Sequence, residues 1–111
     1  MPTDLSKKMT DIVDLLIELL FDSTAREDEK HDAIMDIGEF EDDRALNALF
    51  QIADDPNEND TILDACGESI AEIWTKRNQF NVEAYKKLRP CAQHEIKMYI
   101  KNNKPEWLRY V

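Results

Sequence analysis

The sequence is poor in glycine, cysteine and histidine, with two of each among its 111 residues. Two glycines cannot build the glycine-rich loop that binds phosphate groups. The histidines, His31 and His94, stand far apart without further ligands at metal-site spacing, so we expect no metal and no cofactor. No nucleophile set is evident, because Ser69 has no neighbouring histidine and Cys66 has no basic residue close by in sequence. The sequence therefore predicts a protein that is not an enzyme.

Long apolar runs and secretory features are also lacking. The longest apolar run, from Leu15 to Phe21, is broken by Glu18, whereas a membrane-spanning helix needs about 20 apolar residues. The N-terminus lacks a basic region followed by a long apolar core, so we expect no secretory signal. Cys66 and Cys91 lack the spacing of a disulfide framework, and we expect both to be reduced and buried. Together these features favour a cytoplasmic location.

Acidic residues are abundant and unevenly distributed. Residues 1–72 contain 21 acidic and 5 basic residues, a net charge of −16, whereas residues 73–111 contain 3 acidic and 9 basic residues, a net charge of +6. A strongly negative surface repels nucleic acid and attracts basic proteins. We therefore expect a basic protein partner, with no direct nucleic acid contact and no membrane association. The oligomeric state stays open, with a monomer favoured.

A 33-residue offset relates two parts of the chain. Five residues at the end of one predicted helix have counterparts 33 positions later: Ala33, Ile37, Gly38, Glu39 and Phe40 match Cys66, Ile70, Ala71, Glu72 and Ile73. At the same offset, seven positions between residues 12 and 22 match positions between residues 45 and 55: Ile12, Val13, Leu15, Leu16, Leu19, Leu20 and Asp22 correspond to Ala45, Leu46, Ala48, Leu49, Ile52, Ala53 and Asp55. Amphipathic helices by themselves repeat only every three or four residues, so a shared long offset indicates a recurring helix pair. Chance alignment of two amphipathic helices is the alternative.

This repeat leads to a prediction of the fold. We expect one all-α domain, residues 1–111, built as a short α-solenoid of about two helix pairs over residues 9–76. Residues 77–111 form a divergent, basic C-terminal helical cap, which either closes the solenoid or contacts a partner. The first helix is apolar over more than one stripe, so we expect contacts on more than one of its sides.

Local signals predict where the helices begin and what they bury. Ser23 or Thr24 caps the second helix, the corner 41–43 caps the third, and Asp60 or Thr61 caps the fourth. Arg44, one residue inside the corner, is placed to donate a charge-assisted hydrogen bond to a corner carboxylate. The last regular helix is expected to bury four residues, Ala92, Ile96, Tyr99 and Ile100.

The corner between the second and third helices carries a resemblance to a known repeat. Ala33-Ile34 and Ile37-Gly38 are followed by Asp42-Asp43-Arg44-Ala45-Leu46 and Leu49. This pattern resembles the HEAT-like repeats of phycobilisome-lyase-type proteins, in which an acidic turn followed by Arg-Ala-Leu joins successive helix pairs. The second copy, residues 62–73, lacks the downstream Arg-Ala-Leu, and the resemblance covers residues 9–75 well and the remainder poorly. It implies a HEAT-like helical fold and is nearly silent on activity.

Size, charge and the HEAT-like resemblance together make the chain similar to small bacterial immunity proteins of contact-dependent growth inhibition toxin systems. Such antitoxins bind a cognate toxin, and many of these toxins are basic nucleases. A negative surface can occupy a groove made for nucleic acid, and opposite charge speeds the encounter. The resemblance therefore implies an immunity protein that neutralises a basic nuclease domain. Two alternatives are an adaptor or scaffold that holds a helix or peptide, and a small lyase-like or regulatory subunit.

The candidate partner-binding residues lie on the second and fourth helices and at the corner. Helical spacing places an outward stripe on each helix, and the stripes align at the 33-residue offset. Met35 would add an adaptable apolar contact among the charges. The full set is Asp32, Met35, Asp36, Glu39, Glu41, Asp42, Asp43, Asp64, Glu68 and Glu72. The alternative is that these acidic residues only solvate helix faces and cap helices.

Overall fold

The computed structural model describes the backbone of residues 5–111 and the side chains of residues 12–111. Within these residues the chain forms six α-helices and one 3₁₀ helix and contains no strand, so the predicted all-α class is confirmed. Residues 1–4 of the predicted domain lie outside the described residues. The α-helices are α1 (Leu5–Leu20), α2 (Glu27–Ile37), α3 (Asp43–Ala53), α4 (Asp60–Arg77), α5 (Val82–Lys87) and α6 (Pro90–Asn103), and the 3₁₀ helix is Pro105–Tyr110.

Helix α4 lies at the centre of the fold. It packs against α2, α3 and α6, while α1 packs against α2 and α3, and the 3₁₀ helix packs against α6. The contacts arrange α1 and α3 in one layer and α2, α4 and α6 in another. Stacked helix pairs would produce this order of contacts, but the finer description as an α-solenoid stays a prediction.

The two glycines of the chain lie at close contacts between helices. A Cβ atom on Gly67 of α4 would be 2.6 Å from the carbonyl oxygen of Ala92 on α6, and a Cβ atom on Gly38 would be 2.8 Å from Oγ of Ser69 on α4. Gly38 has a right-handed helical backbone, with φ −63°, so packing rather than a special turn requires glycine there. The buried Ser69 hydroxyl donates a 2.7 Å hydrogen bond to the carbonyl of Ile34. This bond satisfies the hydroxyl and joins α2 to α4.

Aromatic side chains close the C-terminal end. Trp107 of the 3₁₀ helix is buried, and Phe80 lies at the centre of an aromatic cluster. Its ring centroid is 4.9 Å from that of Trp74, 5.5 Å from that of Trp107 and 5.4 Å from that of Tyr110. Edge-to-face and stacked pairs at such distances add to the energy of apolar burial. The segment after α6 is thereby held against the helices.

Two of the predicted helix starts are wrong. Helix α2 begins at Glu27 with Arg26 in the N-cap position, because the upstream Asp22 forms a turn instead, in which its carboxylate accepts hydrogen bonds from the backbone and hydroxyl of Thr24. Helix α4 is capped by Asn59, whose side-chain oxygen accepts a hydrogen bond from the backbone N–H of Ile62. Neither Asp60 nor Thr61, the residues expected from sequence, is the cap.

Helix α1 packs against both α2 and α3, although Ile12 stays 41% exposed and Leu15 62% exposed. Two expectations about burial are wrong. Cys66 is buried but Cys91 is only half-buried, since it lies at the start of α6 beside Asp60. Tyr99 is also half-buried rather than in the core.

Candidate functional site

Helix α4 presents a narrow acidic strip to solvent. Between Ile62 and Trp74, the residues that are not buried are Asp64, Glu68 and Glu72. They stand four positions apart and therefore lie on one face of the helix. Helices α2, α3 and α6 cover its other sides. Over this stretch, the solvent-facing side chains of α4 are all carboxylates.

Helix α2 presents a second acidic stripe beside this strip. Asp32 and Asp36 are exposed, and Met35 between them is half-buried and packs against the core. Glu39, which was predicted to lie on this helix, is exposed in the turn after it, because α2 ends at Ile37. Helix α2 packs directly on α4. The two stripes form one surface, called here the acidic surface and defined as Asp32, Asp36, Glu39, Asp64, Glu68 and Glu72.

Three of the ten predicted binding residues already have cationic partners. A guanidinium nitrogen of Arg44 lies 2.8 Å from Asp42, one of Arg77 lies 2.8 Å from Asp43, and Nζ of Lys76 lies 3.1 Å from Glu72. Among the described side chains, no lysine or arginine nitrogen lies within 4 Å of the other six carboxylates: Asp32, Asp36, Glu39, Glu41, Asp64 and Glu68. These six are the ones that are available to a cationic partner.

Asp42 has a structural use at the corner between α2 and α3. Its carboxylate caps α3 by accepting a 2.8 Å hydrogen bond from the backbone N–H of Arg44, and it also accepts hydrogen bonds from the Arg44 guanidinium. The same guanidinium donates to Asp14 of α1. Hydrogen bonding by the Arg44 side chain holds the pKa of Asp42 below its ordinary value of 3.8. The predicted cap and the predicted role of Arg44 are thus confirmed.

Helix α6 adds two residues to the border of the acidic surface that were not among the predicted binding residues. Glu95 of α6 is half-buried and lies beside Gly67 of α4. A Cβ atom added to Gly67 would be 3.1 Å from the Cβ atom of Glu95. Burial raises the pKa of the half-buried Tyr99, and the carboxylates of Glu72 and Glu68 raise it further. The sequence signal that could have identified these two residues is the four-residue spacing of Glu95 and Tyr99, which places them on one face of α6. A tyrosine with an apolar ring and a polar tip suits the edge of a binding surface.

The residues considered for catalysis or metal binding occupy separate environments. His31 lines a shallow pocket of about 360 Å³ with Glu27, Asp28, Asp32 and Thr61, and His94 is exposed on α6. In the described part of the chain, no group of three or more His, Cys, Asp or Glu side chains is arranged to hold a metal ion.

Cys66 is suited to packing rather than to chemistry. Its side chain is in the core, and burial raises the pKa of the thiol to about 12. A thiol with so high a pKa stays protonated near neutral pH and is a poor nucleophile.

Among the described helices, none has the length and apolar character needed to cross a membrane.

A groove lies between α3 and α5 on another part of the surface. It has a volume of about 480 Å³, and its apolar lining includes Phe50, Ala53, Ala84 and Leu88. Asn81 lines this groove and also borders a second depression of about 410 Å³, where Phe80 is half-buried and Trp74 is buried. The sequence analysis identified no residues for this groove, because α3 and α5 are brought together only in the folded chain.

Comparisons with protein-family models, with curated proteins and with solved structures found no match for this chain. Its function is therefore inferred from its own residues and their arrangement.

Proposed function

We propose that this chain is an immunity protein that binds and neutralises a cognate toxin domain, a basic nuclease, through the acidic surface. The observation that carries the proposal is the strip on α4, where each residue between Ile62 and Trp74 that is not buried is a carboxylate. The proposal includes a HEAT-like solenoid and a cytoplasmic location, as the sequence predicts.

The charge of this surface suits a nuclease because such enzymes hold nucleic acid in positively charged grooves. Carboxylates laid across the groove compete with phosphate groups for the same lysine and arginine side chains. The opposite charges also accelerate association, by 10- to 1,000-fold in favourable cases. Glu39 and Glu68 are among the carboxylates suited to this role, since no cation among the described side chains lies within 4 Å of either.

Apolar contacts at the same surface would slow dissociation. Met35 on α2 and Tyr99 on α6 lie next to the carboxylates and are both half-buried. Tyrosine is among the residues that contribute most to binding energy at protein interfaces, and methionine adapts its shape to a partner. In this proposal the carboxylates steer the toxin, and the two apolar side chains hold it.

The gene immediately upstream is expected to encode a nuclease domain, which would be the partner in the test, and an upstream gene without one would count against the proposal. The binding variant carries Asp36→Lys, Glu39→Lys and Glu68→Lys, and it leaves out Glu72 because that residue is paired with Lys76. We expect unchanged helical content, association at low salt slowed by about tenfold or more, and loss of nuclease inhibition. Stopped-flow association and a nuclease assay measure these effects.

A matched control carries the same charge change elsewhere. Glu18, Asp55 and Glu106 are exposed, lie outside α2 and α4 and line neither the groove nor the depression beside it, so replacing all three by lysine should slow association far less. Equal slowing by both triple variants would show that only net charge matters and would reject the acidic surface as the site. Unaltered inhibition by the binding variant would reject it as well.

An adaptor is the second candidate function, and the groove between α3 and α5 favours it. Its lining combines apolar residues with Asp54, Glu83 and Lys87, as expected of a site that receives one apolar face of a peptide or helix. Ala84→Trp would fill the groove without touching the acidic surface. If this variant lost binding of the natural partner while the triple variant of the acidic surface kept it, the chain would be an adaptor.

A further inference from the structure

Helices α3 and α5 leave a groove between them. Helix α5 has only six residues, and α3 packs chiefly against α4 and α1. The groove has a volume of about 480 Å³, which lies within the range of about 300–1,000 Å³ that is usual for small-molecule sites. It is separate from the acidic surface, because neither α2 nor α4 contributes a residue to its lining.

The apolar part of the groove is about one helical turn long. Phe50 and Ala53 stand three positions apart on one side, and Ala84 and Leu88 stand four positions apart on the other. At about 1.5 Å per residue, each pair spans about 4.5–6 Å, which suits one aromatic ring or a short alkyl chain. A peptide helix, the occupant that an adaptor would take, presents apolar residues over two turns. It would have to continue past Asn81 into the second depression.

Contacts within the chain hold both walls of the groove in place. The guanidinium of Arg89 donates a 2.9 Å hydrogen bond to the carbonyl of Asp55, and each of these residues directly follows a residue of the lining. Asn81 caps α5 by accepting a hydrogen bond from its backbone, and the ring of Phe50 packs against that of Trp74 with 6.0 Å between the centroids. A groove that is formed before the ligand arrives costs less free energy to fill.

The polar part of the lining favours a cationic ligand. Asp54 and Glu83 contribute two carboxylates and Lys87 contributes one ammonium group, so the lining has one more negative than positive charge. Both carboxylate residues are exposed, and among the described side chains no lysine or arginine nitrogen, that of Lys87 included, lies within 4 Å of either. They are therefore available to the ammonium group of a ligand. The half-buried ring of Phe50 can add cation–π attraction.

We infer that the groove binds a small organic cation, in which an aromatic ring or a short alkyl chain carries an ammonium group. The apolar part lies between Phe50 and Ala84, and the ammonium group donates hydrogen bonds to the carboxylates of Asp54 and Glu83. A neutral ligand of the same shape lacks the attraction to these carboxylates, and an anionic one is repelled by them. The site does not depend on the proposed toxin, because it uses no residue of the acidic surface.

NMR titration of the isotope-labelled full chain tests the inference with three probes of similar shape: phenethylammonium, the neutral phenethyl alcohol and the anionic hydrocinnamate. We expect phenethylammonium to shift the amide signals of Ala53 and Ala84 saturably, with a Kd of about 1–10 mM for so small a ligand. Phenethyl alcohol should bind at least about threefold more weakly, and hydrocinnamate more weakly still. Equal binding of the cationic and anionic probes would overturn the inference. The absence of saturable binding would also overturn it and would leave the groove to the peptide of an adaptor.

Variants that remove charge locate the ammonium group. Asp54→Asn and Glu83→Gln together should raise the Kd of phenethylammonium about threefold to tenfold and leave that of phenethyl alcohol unchanged. The matched control is Glu18→Gln with Glu106→Gln, which removes the same charge from exposed positions outside the groove and should alter neither Kd. Equal weakening by both double variants would overturn the inference, because net charge alone would then attract the probe. Shifts confined to α2 and α4 would overturn it by placing the probe on the acidic surface.

Discussion

The two ends of the molecule are built by different means. At the C-terminal end, Trp107 is buried and Phe80 contacts several other rings, whereas at the N-terminal end Leu15 is 62% exposed. Ion pairs have the reverse distribution, since Arg26 and Arg44 pair within the N-terminal part and Arg77 reaches back to Asp43. The C-terminal end is therefore stabilised mainly by aromatic packing within the chain, although Met98, Leu108 and Tyr110 stay exposed there, whereas the N-terminal end is stabilised in part by ion pairs.

The largest expected effect on stability comes from removing a buried aromatic side chain at the C-terminal end. Trp107→Ala deletes a buried indole that packs against Phe80, and such deletions cost about 3–5 kcal/mol of the free energy of unfolding. At the N-terminal end, Leu15→Ala should change this free energy by less than about 0.5 kcal/mol. Urea denaturation at concentrations where the chain is monomeric measures both values. Similar losses from the two variants would contradict the contrast between the ends.

An intermediate effect is expected where the helices are joined. Gly67→Ala would bring a methyl group to 2.6 Å from the backbone carbonyl of Ala92, and overpacking of this kind costs about 1–3 kcal/mol. Gly38→Ala would place a methyl group 2.8 Å from Oγ and 2.9 Å from Cβ of Ser69. Rotating the hydroxyl away costs its hydrogen bond to Ile34, about 1 kcal/mol, and the contact with Cβ requires a small shift of the helix. The α4–α6 contact should therefore tolerate added volume less well than the α2–α4 contact.

Thermal unfolding of the two alanine variants compares these contacts directly. Hydrogen exchange adds the location of the loss, with α6 expected to lose protection in Gly67→Ala and α2 in Gly38→Ala. The control is Ser69→Ala, which removes the same hydrogen bond as Gly38→Ala without adding volume. A greater loss from Gly38→Ala than from Gly67→Ala would mean that the α2–α4 contact is the more rigid one.

The features that depend on local sequence were the ones that could be predicted. The all-α class follows from helical periodicity, and the cap at Asp42 follows from an acidic residue placed just before an apolar helix. The cap of α4 was missed because Asn59, Asp60 and Thr61 stand side by side, and any of the three can accept a backbone hydrogen bond. Local sequence does not distinguish them.

Features that depend on the neighbouring helix could not be predicted. The sequence shows that Leu15 belongs to an apolar face, but it does not show whether another helix covers that face. Tyr99 was assigned to the core because it follows the spacing of Ile96 and Ile100, yet its position relative to α4 leaves it half-buried. The close contact that requires glycine at position 67 likewise depends on α6, which is remote in sequence.

The smallest expected effect concerns the charged corner of the N-terminal part. Hydrogen bonding to Arg44 holds the pKa of Asp42 below its ordinary value of 3.8. A carboxylate with a lowered folded-state pKa contributes stability above its unfolded-state pKa, and this contribution is lost as pH falls through the folded-state pKa. We therefore expect the corner to weaken below about pH 4, by the modest energy of a partly exposed ion pair, about 0.2–1 kcal/mol.

Asp42→Asn isolates this effect, because asparagine caps a helix about as well as aspartate does but carries no charge. The variant should lose less stability than the wild type between pH 5 and pH 3, measured by urea denaturation at each pH. Arg44→Gln removes the guanidinium instead and should reduce the pH dependence similarly, and the double variant should reduce it no further. If wild type and Asp42→Asn lost stability in parallel, the charge of Asp42 would contribute nothing measurable to the corner, and Arg44 with Asp14 would remain as the charged link between α3 and α1.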